Sequence, residues 1–83
     1  MGFILNNQMK IQKKMIDALT YKYESEIAET EATLWIYFNN PVGIGEHPQH
    51  LEEMDKLVEK MTNAKDKLET LKEFVKYNLT NGN

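Results

Sequence analysis

The 83-residue chain contains no cysteine, which excludes disulfides, thiolate metal sites and thiol nucleophiles. Helix breakers are scarce: both prolines and two of the four glycines fall between Pro41 and Pro48. Long apolar runs are missing as well. The longest runs from Leu34 to Phe38, far short of the ~20 residues that cross a bilayer, and Phe3–Leu5 is too brief for a signal-peptide core. Asn78-Leu79-Thr80 matches a glycosylation sequon only in letters, since no secretion signal accompanies it. The expected setting is cytoplasmic, with no membrane contact. A net charge of −3 argues against non-specific nucleic-acid binding. Hydrophobic residues make up 41% and charged residues 28%, a balance suited to a folded domain rather than a disordered chain. At this length a chain buries only about 60% of its unfolded surface, so one domain with a thin core is the most it can build.

What the chain does contain is helical periodicity. At 100° per residue, Leu5, Met9, Gln12, Ile16, Leu19, Tyr23, Ile27, Thr30, Leu34, Tyr37 and Phe38 fall in one stripe, while Glu24, Glu26, Glu29, Glu31 and Lys10, Lys13, Lys14, Lys22 fall outside it. Ile16, Ile27 and Phe38 recur every eleven residues, a spacing that suits a nearly straight helix. The reading is one helix over about residues 5–39, roughly 50 Å long.

Residues 40–47 interrupt it. Pro41 cannot continue a helix and turns Asn40 away from the α region. Pro48 suits the first position of a new helix, and Glu52 and Glu53 follow where the helix dipole favours anions. The second helix, about 48–79, carries a heptad seam of Met54, Leu57, Met61, Ala64, Leu68, Leu71 and Val75. Leu51, Val58 and Leu79 widen this seam along one flank, with Lys65 and Lys72 between them.

Two helices of similar length joined by a short break predict an antiparallel hairpin, making residues 1–83 a single all-α domain. Antiparallel pairing sets the acidic middle of the first helix beside Lys60, Lys65 and Lys67. One hairpin cannot cover stripes this wide, and Trp35, Tyr21, Ile11, Met15, Ile36 and Phe74 lie off the main stripes. The expectation is therefore a homodimer, two hairpins closing into a four-helix bundle, with an unidentified protein partner as the other way to cover these side chains. The assembly residues would be Ile16, Leu19, Tyr23, Ile27, Leu34, Trp35 and Phe38 on the first helix, and Leu57, Met61, Leu68, Leu71 and Val75 on the second. Val42, Ile44 and His47, with Trp35, would form a recognition tip.

Candidate chemistry is sparse. His47 and His50, with Glu46 and Glu53, form the one cluster resembling a metal site. Pro48 separates the histidines and no third strong ligand has helical spacing, so a solvated polar turn explains them better. Gly43 and Gly45 invite a phosphate-loop reading. No strand precedes them, no Lys-Ser or Lys-Thr follows, and Glu46 repels phosphate. Lys10, Lys13, Lys14 and Lys22, beside Tyr21, could touch nucleic-acid phosphates, although a solvated helix face accounts for them as well. No carboxylate pair can be placed with a nucleophile in a cleft. The expectation is a protein without catalytic residues, cofactor or metal.

The segment Tyr37-Phe38-Asn39-Asn40-Pro41-Val42-Gly43-Ile44-Gly45-Glu46-His47-Pro48, followed by an acidic start to a Leu/Lys-rich helix, resembles a short protein family of T-even-like tailed bacteriophages, marine ones particularly. The resemblance covers roughly residues 30–75. The family has no assigned activity, so the resemblance implies a viral setting inside an infected bacterium and carries over no functional residue.

Overall fold

A computed structural model describes the backbone of residues 2–40 and 49–80, and the side chains of residues 8–40 and 49–79. Helix α1 spans Gly2–Phe38 and helix α2 spans Gln49–Val75, continued by a π-helical turn over Lys76–Thr80. No strand occurs among the described residues. The expected tip residues Val42, Ile44 and His47 lie outside the described residues.

Three cross-helix contacts fix the pairing. The Lys60 ammonium lies 3.5 Å from the Glu29 carboxylate. That of Lys67 lies 5.9 Å from the centre of the Tyr23 ring. Tyr37 and His50 meet edge to face, with ring centres 5.4 Å apart. Residue numbers rise along one helix as they fall along the other, so the helices run antiparallel. The particle is a rod of 66 × 19 × 15 Å. Phe38 and Gln49 mark its closed end, and the start of α1 with the π turn marks its open end.

On α2 the seam follows the heptad pattern. Met54 and Ala64 are buried, Leu57, Met61, Leu68, Leu71 and Val75 are partly buried, and the residues between them are exposed. On α1 the outcome differs from the eleven-residue spacing. The positions turned to α2 are Ile16, Thr20, Tyr23, Ile27, Thr30, Leu34 and Tyr37, alternating by four and three as on α2. Thr20 enters the seam, while Leu19 and Phe38 stay outside it. Two helices mesh along one line only when both present the same repeat, and the heptad of α2 imposes its spacing on α1. Met9 and Gln12 are also exposed, because in this pairing α1 reaches the end of α2 beside them.

The threonines make this possible. Thr30 is 1% exposed, and its hydroxyl donates to the Glu26 and Ile27 carbonyl oxygens of its own helix at 2.9 and 3.0 Å. Thr20 donates likewise to the Ile16 carbonyl at 2.8 Å. A hydroxyl satisfied by the preceding turn presents its methyl group outward and costs the seam no unpaired donor. Ala64, also 1% exposed, faces the Tyr23–Ile27 turn in this pairing, where its small side chain lets the helices approach.

Two substitutions follow from this packing. Ala64→Leu should lower stability by about 1–3 kcal/mol through overpacking. Thr30→Val, which keeps the shape and removes only a local hydrogen bond, should change it by about 1 kcal/mol or less. Urea unfolding midpoints of the two variants give the comparison. A leucine tolerated at position 64 would mean the helices do not meet there.

Candidate interaction surface

Every seam residue has two sequence neighbours, which the helix turns to opposite sides of the hairpin. Residues one position before a seam residue form one side, called here the leading side. Those one position after form the trailing side. Glu29 and Lys60 both precede seam residues, Thr30 and Met61, and they meet, which confirms that leading residues of both helices share one side.

On the trailing side, large apolar groups gather at the closed end. Trp35 (61% exposed) and Phe38 follow Leu34 and Tyr37, and Leu51 and Val58 follow His50 and Leu57; all four are exposed. Trp35 and Phe38 line an open groove of about 500 Å³ with Glu31, Leu34 and Asn39. On the leading side a second apolar cluster sits at the other end of the rod, while Ile36, on the leading side of the closed end, and Tyr21, on the trailing side of the open half, are exposed singly. Met15, Leu19, Phe74 and Leu79 line a groove of about 190 Å³, with Ile16, Leu71 and Val75 as its floor. The hairpin thus carries two apolar patches, diagonally placed on opposite sides and at opposite ends.

Leu79 departs from expectation. Continued α-helical spacing would put it on the trailing flank with Leu51 and Val58. From Lys76 onward the helix takes π spacing, in which residues five apart share a face, so Leu79 comes beside Phe74 on the leading side. The expected flank of three apolar residues is reduced to two.

Of the twelve expected assembly residues, Ile16, Tyr23, Ile27, Leu34, Leu57, Met61, Leu68, Leu71 and Val75 lie in the seam within one chain, whereas Leu19, Trp35 and Phe38 are exposed. The structure divides the expected lysine patch. Lys10 and Lys14 fall on the trailing side, Lys13 pairs with Asp17 at 3.0 Å, and Lys22 is carried to the leading side. The hydrogen bond to Asp17, and then its charge, raise the Lys13 pKa above the usual lysine value. Lys65, Lys72 and Lys76 of α2, which follow seam residues, join Lys10 and Lys14, which lie seven residues before the trailing-side Asp17 and Tyr21. Sequence spacing within α1 alone could not have paired them.

Among the described residues no group of three or more His, Asp or Glu side chains is placed to hold a metal ion. His50 packs on Tyr37, and His47 lies outside the described residues. Nor is any described helix long and apolar enough to cross a membrane.

Charge is divided along the rod. The open half, residues 8–22 and 64–80, holds eight lysines and four acidic residues. The closed half, residues 23–40 and 49–63, holds two lysines and eight acidic residues. One end is therefore basic and the other acidic, a separation that the net charge of −3 conceals.

Comparison with protein-family models, with curated proteins and with solved structures finds no match to this chain.

Glu29 and Lys60 hold their geometry in water, their side chains being 67% and 48% exposed. A double-mutant cycle of Glu29→Gln and Lys60→Gln should give a coupling of about 1 kcal/mol or less, vanishing in ~1 M salt. A larger, salt-resistant coupling would mean that another surface covers the pair.

Proposed function

We propose that this protein is a non-enzymatic assembly module, a helical hairpin whose task is to associate with further copies of itself. One observation carries the reading. Among the described residues only Leu34, Met54 and Ala64 are buried hydrophobic side chains, while thirteen large hydrophobic ones are exposed. A stable monomer inverts that ratio. The chain exposes 6824 Å², against roughly 5,100 Å² for a compact monomer of 9.7 kDa. An excess of this size is what association removes from water.

The smallest such assembly is a homodimer, and two hairpins pairing side by side make a four-helix bundle. The resemblance of residues 30–75 to a phage family supports placing this activity in an infected bacterium. Within that setting the partner is the chain itself or a phage or host protein that covers the same patches.

Light scattering across a dilution series, with helicity read by circular dichroism on the same samples, tests the reading. Self-association gives a mass of at least twice 9.7 kDa at high concentration and a loss of helix as copies separate. A helical monomer at every concentration would overturn it and leave the apolar patches to a different protein.

A second reading has its own observation. Lys10, Lys14, Lys65, Lys72 and Lys76 share the trailing side of the open end with Asp17 and Glu69, and a face with five cations against two anions can follow a phosphate backbone. Binding to a short DNA duplex at low salt, weakening steeply as salt rises, would favour it. No binding at ~50 mM salt would remove it.

A further inference from the structure

Self-association leaves open how the copies meet, and the placement of the two patches answers that. Consider first a twofold axis along the rod, with trailing sides face to face. The closed-end patch then covers its own copy, but the acidic half of one rod lies against the acidic half of the other. Like charges brought together at an interface oppose association. Consider next a twofold axis across the rod. Acidic and basic halves now align, yet Trp35, Phe38, Leu51 and Val58 meet the face of Lys10, Lys14, Lys65 and Lys72. The leading groove of Met15, Leu19, Phe74 and Leu79 stays wet in both arrangements. Full-length pairing on either side also buries several charged side chains against apolar ones, which is costly.

A third arrangement covers both clusters, with Ile36 and Tyr21 outside the contact. Resting on the self-association proposed above, we propose that copies associate head to tail: the Trp35/Phe38/Leu51/Val58 patch at the closed end of one copy seats on the Met15/Leu19/Phe74/Leu79 groove at the open end of the next. The two patches lie about 20 residues apart along α1, hence roughly 30 Å, or half of the 66 Å rod. The second copy therefore lies parallel to the first and displaced by about half a length. Its basic half then runs beside the acidic half of the first copy, the net charges of the two adjoining halves being of opposite sign. Apolar surface meets apolar surface, and of the charged side chains Lys22 and Lys67 lie on the leading side of one copy while Glu24, Glu31 and Asp55 lie on the trailing side of the other.

Because the joined patches differ, the contact is heterologous. It leaves one patch free at each end of any oligomer, and the assembly grows as a staggered chain instead of closing as a dimer. Each patch offers four partly exposed side chains, roughly 400 Å² in all, given ~150–250 Å² for a whole aromatic side chain. The joined area falls near the weak end of specific interfaces, so growth belongs to high local concentration.

The test uses the full chain and two surface variants, Trp35→Glu on the closed-end patch and Phe74→Lys in the open-end groove. Both replaced residues are exposed. Circular dichroism checks that the helices remain, and Val58→Glu and Met15→Lys stand in for any variant that unfolds. Sedimentation velocity between about 10 µM and 1 mM, the range for a small weak interface, reads the mass. The expected result has three parts. The wild-type mass rises beyond two chains without a plateau. Each variant alone is monomeric. An equimolar mixture stops at two chains, because one variant retains the patch and the other the groove. A wild-type mass that levels off at two chains overturns the head-to-tail contact while self-association stands. So does either variant forming dimers alone, or a mixture that remains monomeric beside a self-associating wild type. A wild type monomeric throughout overturns both.

Discussion

Two helices can touch along only one line, and most of what this molecule does follows from that constraint. The seam, seven positions on α1 and, with His50, eight on α2, is where most of the described side chains that leave water do so. It is lined by two threonines and an alanine beside its leucines and methionines. Small side chains allow a close approach, and the threonine hydroxyls are satisfied by their own helix. They also limit how much apolar area the approach covers. Hydrophobic stabilisation scales with that area at about 25 cal/mol per Å², so a narrow seam leaves a hairpin of this length marginal. The apolar side chains on its flanks are the unused remainder of the driving force.

The second helix was legible in its sequence because a heptad of Met, Leu, Ala and Val leaves little choice of face. Only its end was missed, for a π turn has no residue signature and shifts every later side chain around the axis. The first helix was legible as a helix but not as a surface. Leu19 and Phe38 fit a hydrophobic stripe by chemistry, while Thr20 fits the seam only by position. Periodicity read from one helix weighs residues by apolarity, whereas packing weighs them by the repeat of the partner. The diagonal patches were less legible still. Trp35, Met15 and Phe74 stand out in the sequence as apolar residues off the stripe, but nothing there says that Trp35 and Phe74 lie at opposite ends and on opposite sides. That relation exists only once the two helices are in register.

The charge distribution has the same origin. Along the chain, basic and acidic residues come in four segments whose sums nearly cancel. Antiparallel folding stacks the lysine-rich start of α1 on the lysine-rich end of α2, and the acidic end of α1 on the acidic start of α2. Cross-helix pairs such as Glu29–Lys60 sit near the boundary between the halves, where the signs mix. Within each half, like charges repel across the seam, and that repulsion opposes the single-chain fold. A neighbouring rod displaced by half a length, as proposed above, would reverse its sign.

Under the proposed self-association, folding and association would be coupled more closely than in a globular domain. The staggered arrangement proposed above would cover the flanking patches and set an acidic half beside a basic one, removing both the wet apolar surface and part of the repulsion that burdens the lone hairpin. Mass action then makes helix content depend on concentration. At the open end the π turn brings Leu79 beside Phe74. With the fifth-residue spacing, Leu79 completes an apolar groove; with regular α spacing it would stand alone on the other side.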